Sequence, residues 1–416
     1  MPVPLPDGTV HDNVLNCLPD AFIGRLDGYG WGGGTTLPVN ADGRWWWHIV
    51  GQGWAADEFL ALDHQGGLPW PERPELANAG LIAYFGRDGG IWLMNADGSN
   101  QRPIVGLAGE NEYIYNLAWS PAGDQLSFTI SKCCAPEAAA TRIVDPTGNL
   151  VVELAGLTGA RWSPDGTRLS ALRHHSSAGL GENSTPVIFD LNTGTETVVG
   201  SPTYMATAPA WSTDGNQITF VCTSSTGFST APDGSSVQTS LDCAGDGLRI
   251  ANADGSGSRI ILPMGSAGGP YFANPSWSPS GGTIAVYSMQ QDGGGCRGYV
   301  FVDLASGGIT GCVPLPAVAG FIGGSCGGGP EMGASLWTED GRSFIFSAQG
   351  AGQSGVFVHN VATGARTVVP SMMAGLISVS SDGAHLTFSS GYVSVADIDG
   401  SNLTLLAEGH SPAWQP

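Results

Sequence analysis

The side chains best suited to chemistry in this sequence are histidines, glutamates and tyrosines in or beside its longer loops. His174 and His175 are adjacent, and Glu182 follows in the same segment. Imidazole and carboxylate groups that converge bind a metal ion or act as a general base. Further candidates lie near the starts of predicted strands: Tyr113, Tyr115, Tyr204, Glu331 and His410. We interpret the whole set as candidate binding residues; the alternative is that they are exposed loop residues with no common partner.

The cysteines supply a second kind of chemistry. Cys133 and Cys134 are adjacent, so a vicinal disulfide would give a ligand a rigid apolar contact surface, while separate partners or free thiols are the open alternatives. Cys222 and Cys243 bracket a polar insertion, as a disulfide that staples a loop does. The others are a cluster of Cys296, Cys312 and Cys326, and Cys17, which has no evident mate. With no Cys-x-x-Cys pair and no zinc spacing, the pattern indicates an oxidising, extracytoplasmic location.

Motifs for cofactors and metals are weak. No phosphate-binding G-x-x-x-x-G-K-[ST] loop occurs, and we predict no catalytic residue and no cofactor. Asn95–Asn100 and Asp397–Asn402 mimic the start of a calcium loop but lack the distant bidentate Glu. Their place between two predicted strands favours hairpin turns. The N-terminus, Met1 to Pro4, lacks the basic and apolar regions of a signal peptide, so none is predicted.

Charge narrows the choice of partner. The 416 residues carry a formal net charge of −21, and Lys132 is the only lysine among 15 basic residues. Such a field repels phosphate groups, which disfavours nucleic acid and anionic membrane surfaces. No apolar run approaches the ~18 residues of a membrane-spanning helix. We expect a protein, peptide or cell-wall glycan partner and a monomeric chain.

One five-residue pattern recurs along the chain and organises the elements that must position these residues. Trp162-Ser163-Pro164-Asp165-Gly166 is its fullest copy, and the others begin at Trp119, Trp211, Trp277 and Trp337, with a decayed copy ending at Gly383 and a last tryptophan at Trp414. A repeat every ~40–65 residues is typical of a repeat architecture. In the fullest copy Pro presets φ, Asp accepts backbone hydrogen bonds and Gly takes a positive φ, so the pattern predicts a turn.

A regular hairpin lies between successive copies. Alternating β-branched and aromatic residues precede Thr-Gly or Asp-Gly, as in Ile143–Gly148, Ile188–Gly194 and Phe357–Gly364. Each unit therefore predicts four antiparallel strands, A to D, with the tryptophan at the end of strand A. Four-stranded sheets repeated around an axis form a β-propeller.

Motif and spacing resemble the TolB-like, WD-repeat-like propeller family from about Leu76 to the C-terminus. We predict an all-β fold with seven blades over residues 76–416, in which residues 408–416 complete the first blade and close the ring. A Pro-rich linker is predicted at 69–75. Residues 1–68, with Trp45-Trp46-Trp47 and the G-W pair at Gly53, resemble a bacterial SH3-like β module that is partly degenerate. A plain packing module is the alternative.

The two faces of such a propeller differ in character. The W-S-P-D-G and D-G turns are short and uniform, which predicts a structural face, whereas the B–C and D–A loops are long and variable. The resemblance implies a non-enzymatic, extracytoplasmic binding or scaffold protein that uses the loop-rich face. The alternative is a carbohydrate-active enzyme of the oligogalacturonate-lyase type, for which His174, His175 and His410 would hold a divalent metal.

Overall fold

The structure is a computed structural model. It describes residues 39–41, 44–49, 53–56, 73–106, 112–132, 135–175, 183–201, 203–204, 209–230, 236–241, 243, 245–264, 271–289, 296–315, 335–350, 353–370, 377–389 and 392–416. The chain divides into two compact units, Met1–Glu72 and Arg73–Pro416. The described residues contain no helix that is long and apolar enough to cross a membrane.

The first unit contains one small antiparallel sheet within its described residues. Its strands, in the order in which they pair, are β1 (Val39–Ala41), β2 (Arg44–Ile49) and β3 (Gly53–Ala56). The tryptophan-rich segment Trp45–Trp47 therefore lies within a strand, β2. The SH3-like assignment and the predicted domain boundaries stay predictions.

The second unit opens with a 3-10 turn at Pro74–Leu76 and continues as all-β structure. Its first three strands are β4 (Leu81–Gly86), β5 (Ile91–Asn95) and β6 (Arg102–Val105). Six separate sheets follow in the described residues: five that we number as blades 2 to 6, and the two-stranded sheet of a hairpin inserted in blade 4. Each blade consists mainly of sequential antiparallel strands, because β-branched and aromatic residues alternate along them. Glycine turns such as those at Gly166 and Gly194 join neighbouring strands.

Blade 2 is formed by β7 (Glu112–Trp119), β8 (Leu126–Lys132), β9 (Ala135–Val144) and β10 (Leu150–Ala155). Blade 3 is formed by β11 (Leu157–Trp162), β12 (Arg168–His175), β13 (Asn183–Asp190) and β14 (Glu196–Val198), with β15 (Thr203–Tyr204) also paired to β13. Blade 4 comprises β16 (Ala210–Trp211), β17 (Gln217–Cys222), the inserted hairpin β18 (Ser225–Thr230) and β19 (Ser236–Leu241), and β20 (Gly247–Asn252) and β21 (Arg259–Pro263).

Blade 5 is formed by β22 (Tyr271–Trp277), β23 (Thr283–Met289), β24 (Gly298–Asp303) and β25 (Ile309–Pro314). Blade 6 is formed by β26 (Ser335–Trp337), β27 (Ser343–Gly350), β28 (Gln353–Asn360) and β29 (Arg366–Pro370). The last strands are β30 (Ile377–Val379), β31 (His385–Ser389), β32 (Tyr392–Asp397) and β33 (Thr404–Trp414).

The prediction of seven separate blades was wrong. Within the described residues five blades are separate sheets, and the strands predicted as blades 1 and 7 form one seven-stranded sheet in the order β30-β31-β32-β33-β4-β5-β6. The physical reason is that β33 is continuous. It pairs with β32 through Thr404–Glu408 and with β4 through Gly409–Trp414, so no turn separates the two halves. We call this the joined sheet.

The innermost strands of the sheets follow one another in a closed order. β7 contacts β11, and the contacts continue through β16, β22, β26 and β30 to β33, which contacts β7 again. The C-terminal strand therefore meets both the last and the first inner strand. An all-β fold with a propeller arrangement is confirmed.

The core lies between facing sheets rather than inside any one of them. Phe301 of blade 5 packs edge-on against Phe344 of blade 6, with ring centroids 5.5 Å apart. In the joined sheet Tyr84 and Met94 pack with Val393 and Val395 from the other half. Because burying one such side chain contributes roughly 1.5–3 kcal/mol, the rows of sheet-to-sheet contacts hold the inner strands in place.

Two disulfides lie in the described residues. Cys222–Cys243 has a Cα–Cα distance of 5.8 Å and encloses the β18–β19 insertion, as predicted. Cys296–Cys312, with a Cα–Cα distance of 6.0 Å, joins two members of the predicted cluster. Cys17 and Cys326 lie outside the described residues.

Candidate functional site: the central channel

The W-S-P-D-G copies form closed turns at the ends of the inner strands. In the fullest copy the Ser163 hydroxyl donates to Asp165 over 2.5 Å and accepts from the Arg168 amide over 2.9 Å. The Gly166 amide donates to the Ser163 carbonyl over 2.9 Å. The hydrogen bond from the Ser163 hydroxyl, together with those from the Thr167 amide and hydroxyl, lowers the pKa of Asp165, since these bonds favour its charged form against burial. The turn role is confirmed.

Four of these tryptophans connect their blade to the sheet before it. The indole Nε1 of Trp211 donates to the Arg161 carbonyl over 3.0 Å, and that of Trp119 donates to the Ala413 carbonyl over 3.0 Å. Trp277 donates to Ala210 over 3.2 Å and Trp337 to Ser276 over 3.3 Å. In every case the acceptor is the residue that precedes the tryptophan of the previous inner strand. These tryptophans therefore connect neighbouring sheets through their indole groups.

A β-bulge lies three residues before the tryptophan on several inner strands. The residue there has a positive φ, and the strand's register shifts beside it. The members are Asn116 (φ 58°), Gly159 (φ 62°), Asn274 (φ 49°) and Ser411 (φ 51°). Asn and Gly adopt this conformation at low cost, whereas Ser does so rarely. The bulge re-aims the last three residues of each strand relative to the first half.

A cavity of about 620 Å³ opens where these strands end, on the side of the W-S-P-D-G turns. Its wall consists of inner-strand and turn residues from blade 2, blade 6 and the joined sheet. They are Leu117, Ala118, Trp119, Trp337, Glu339, Ile377, Ser378, Val379, Ser380, Ser381, Gly383, Pro412, Ala413, Trp414 and Pro416. The sequence prediction assigned this face a structural role only. The cavity shows that the face also carries a concave surface.

Arg161 lies in the same ring of strands and departs from the pattern. It precedes Trp162 on β11, is partly exposed, and has its pKa lowered by burial alone. Within the described residues no carboxylate forms an ion pair with it. Sequence reasoning missed this residue, although the signal was visible: an arginine stands where Ala118, Ala210 and Ala413 stand in other copies.

Of the predicted binding residues, the structure brings Tyr113 and Tyr115 together. They lie on the first half of β7, both partly exposed, with rings stacked at 5.5 Å between centroids and 20° between planes. Beside them the Glu112 carboxylate lies 3.8 Å from the Lys132 ammonium, and its Oε2 is buried with no hydrogen-bond partner among the described residues. The pair forms an aromatic surface on an inner strand.

Of the three predicted histidines, His174 and His410 have described side chains, and both contact neighbouring side chains. His174 Nε2 lies 2.6 Å from the Thr158 hydroxyl within blade 3. His410 Nδ1 lies 3.1 Å from the Ser411 hydroxyl, and its ring is 5.3 Å from that of Phe85. Burial lowers the pKa of His410, so its ring stays neutral at pH 7. These two histidines belong to strands of different sheets, β12 and β33.

The other predicted residues are not described. Cys133, Cys134, Glu182 and Glu331 lie outside the described residues, as do the side chains of His175 and Tyr204. The segment Gly323–Gly327 also lies there and has the spacing G-x-S-x-G. That spacing marks a nucleophile only in a strand–turn–helix context.

The calcium-like segments are hairpin turns. The Asp97 carboxylate accepts hydrogen bonds from the Ser99 amide over 2.9 Å and from its hydroxyl over 2.6 Å. Asp399 binds Ser401 in the same way, over 2.9 and 2.6 Å. Within the described part of the chain no group of three or more His, Cys, Asp or Glu has the arrangement of a metal site.

Comparison with known proteins supports the fold and no activity. No protein-family model and no curated protein sequence matches the chain. Among solved structures, puromycin hydrolase (an S511A mutant complexed with PGG) matches 79% of this chain at 15% identity with a TM-score of 0.53. The match spans 52% of puromycin hydrolase, about half its length.

Two further structures bear on the predicted resemblance. TolB from Acinetobacter baumannii matches 81% of this chain and 67% of its own at 15% identity, with a TM-score of 0.44. An oligogalacturonate lyase in complex with manganese matches 82% of this chain and 85% of its own at 12% identity, with a TM-score of 0.48. At such identities a likeness shows the fold alone, and these two scores carry no argument about function.

Proposed function

We propose that this protein is a non-enzymatic binding or scaffold protein that holds a protein, peptide or glycan partner on the loop-rich face of the propeller. The observation that carries the proposal is the stacked, partly exposed pair of Tyr113 and Tyr115 on an inner strand. Tyrosine combines a large apolar ring with a polar hydroxyl and loses little side-chain entropy on binding. A rigid strand that carries two such rings is suited to recognition.

The proposal includes an extracytoplasmic location. The disulfides Cys222–Cys243 and Cys296–Cys312 support it, since such bonds persist in oxidising compartments. The net charge of −21 keeps anionic polymers away and favours neutral or cationic partners.

The test compares two matched variants. Tyr113→Ala/Tyr115→Ala removes the aromatic pair, and Leu403→Ala/Val151→Ala removes two exposed apolar side chains, one from the turn before β33 and one from the outer strand β10. Both are assayed against immobilised cell-wall glycans and peptides from a random library. We expect at least one probe to bind the wild type and the control, and to bind the tyrosine variant about tenfold more weakly or less.

Two results would contradict the proposal. One is equal binding by the tyrosine variant. The other is turnover of acidic oligosaccharides on addition of a divalent metal, with loss of that turnover in His174→Ala. This second result would favour the carbohydrate-active alternative.

A further inference from the structure

The third residue of the W-S-P-D-G turn borders the central cavity on three consecutive inner strands. These residues are Glu339 after β26, Ser381 after β30 and Pro416 after β33, and all three line the cavity and are exposed. β26 contacts β30, and β30 contacts β33, so the three turns are neighbours in the ring. A side chain at this position is therefore within reach of a ligand in the cavity.

Glu339 departs from the other copies at this position. In the seven copies the third residue is Pro121, Pro164, Thr213, Pro279, Glu339, Ser381 or Pro416. Glu339 is the only one of them that carries a charge, and it is the only ionisable side chain on the cavity wall. The repeat therefore places a single carboxylate at the cavity, in a position that is otherwise neutral.

The turn itself does not use this carboxylate. Asp340 accepts the turn's hydrogen bonds, from the Thr338 hydroxyl over 2.7 Å and from the Arg342 amide over 2.9 Å. The Arg342 guanidinium lies 3.6 Å from the Asp340 carboxylate. Among the described residues no hydrogen bond or ion pair engages the Glu339 side chain. Its charge is left for a group that enters the cavity.

An aromatic ring lies two residues before it on the same wall. Trp337 lines the cavity and is partly exposed. Its indole N–H is already donated to the Ser276 carbonyl over 3.3 Å, and its ring packs edge-on against Phe344 with centroids 5.1 Å apart. The ring is therefore held in place and offers carbon surface rather than a donor. An aromatic ring beside a carboxylate is an arrangement that binds organic cations.

The charge and size of the cavity narrow the ligand further. No Lys, Arg or His lines it, and the chain's net charge of −21 draws cations towards it and repels anions. Its volume of about 620 Å³ suits a small molecule or one long side chain of a peptide. Val379 is partly exposed and adds apolar surface to the wall. The chemistry fits an apolar stem that ends in one positive charge.

We propose that the central cavity binds an alkylammonium group, with the Glu339 carboxylate as its counter-charge and the Trp337 ring as its aromatic contact. An ammonium is a compact charge with three donors, which a carboxylate and the Ser381 hydroxyl are suited to meet. The group belongs to a free amine or to a lysine side chain of a peptide. Tyr113 and Tyr115 do not line this cavity, so this proposal and the proposed function can fail independently.

The experiment uses the full chain and two matched pairs of probes. Hexylamine is compared with 1-hexanol, and N-acetyl-lysine methylamide with N-acetyl-norleucine methylamide. Binding is measured by calorimetry at pH 7 on the wild type, on Glu339→Gln and on Glu153→Gln. Glu153 is an exposed residue of the outer strand β10, so this control loses the same charge away from the cavity. We expect at least one cation to bind wild type and control about fivefold more tightly than its neutral counterpart, or better.

Glu339→Gln is expected to lose the preference for the cation and to keep the wild-type melting temperature, because Asp340 carries the turn. Ser381→Lys places a tethered ammonium on the neighbouring turn and is expected to weaken cation binding while Glu339 stays in place. The preference is also expected to fall at an ionic strength of about 1 M, where charges are screened within about 3 Å. Binding of hexylamine alone indicates a free amine as ligand, whereas binding of the lysine derivative indicates a peptide side chain.

Four results would overturn the proposal. The first is equal binding of cation and neutral counterpart by the wild type, and the second is no binding of either cation at about 10 mM. The third is a preference for the cation that survives in Glu339→Gln or in Ser381→Lys. The fourth is an equal loss of that preference in Glu153→Gln, which would assign the effect to the net charge of the chain.

Discussion

The inner strand of blade 3 and those of blades 2, 4, 5 and 6 share one sequence pattern and use it differently. On four of them the tryptophan indole donates to the carbonyl of the preceding inner strand. On β11 the Trp162 Nε1 is buried and Arg161 stands before it, and among the described residues the first has no acceptor and the second no counter-charge. The uniform copies join neighbouring sheets through their indole groups, whereas the β11 copy leaves two polar groups without a partner in the described part of the chain.

The largest test of the uniform copies is removal of residues 408–416. The deletion takes away the pairing of β33 with β4, the Ala413 acceptor of Trp119, and the buried Trp414 side chain. Losing a buried tryptophan alone costs about 3–5 kcal/mol, so we expect the second unit to lose its single cooperative melting transition. Calorimetry measures this, with removal of the exposed Pro416 alone as the control. An unchanged transition would mean that the ring does not depend on its C-terminal strand.

The next test compares two outer turns that look alike in sequence. Gly148 has φ +91°, and a Cβ there would lie 2.1 Å from the Ile104 carbonyl oxygen of the neighbouring sheet. Gly194 has φ +70° and nothing within 4 Å. Alanine costs roughly 1 kcal/mol at either site because of the positive φ, and only Gly148→Ala must also displace the turn. We expect urea denaturation to show that Gly148→Ala lowers the free energy of unfolding by about 2 kcal/mol more than Gly194→Ala does. Equal losses would show that the turns do not pack on neighbouring sheets.

The third test concerns the carboxylate of Asp397. Burial tends to raise the pKa of Asp397, but hydrogen bonds from Arg73, Asn402 and His385 outweigh it and lower the pKa to about 2. A depressed carboxyl pKa adds stability that is present above about pH 4 and is lost as the pH falls towards 2. With Asp397 24% exposed, that contribution is about 1–2 kcal/mol.

Asp397→Asn should therefore destabilise the protein at pH 7 and much less near pH 2.5, measured by urea denaturation at both values. Arg73→Met should reproduce most of the effect and add little to Asp397→Asn, because the two residues share one interaction over 2.8 Å. A penalty that is the same at both pH values would exclude an electrostatic origin.

Much of the fold followed from local patterns, because each W-S-P-D-G copy carries its own turn chemistry and each hairpin its own glycine. The joined sheet did not follow. Its boundary falls inside β33, where Gly409 continues the strand instead of turning it, and pairing partners at this distance in the chain are set by tertiary packing. Of the site, Tyr113 and Tyr115 were predicted from their place on a strand. Arg161 was not, since its meaning depends on burial and on the absence of a carboxylate among the described residues around it, which spacing does not reveal.

The smallest test returns to the tryptophans themselves. Trp119→Phe removes a donor and leaves the buried Ala413 carbonyl without its hydrogen bond, which costs about 1–2 kcal/mol beyond the lost ring area. Trp162→Phe removes a donor that already lacks an acceptor, so only the ring-area term remains and the indole's desolvation cost is relieved. We expect the midpoint of urea denaturation to fall further for Trp119→Phe, with Trp277→Phe behaving like Trp119→Phe because Trp277 also has an acceptor. If Trp162→Phe proves as damaging as the other two, its indole has an acceptor and β11 differs from its counterparts in Arg161 alone.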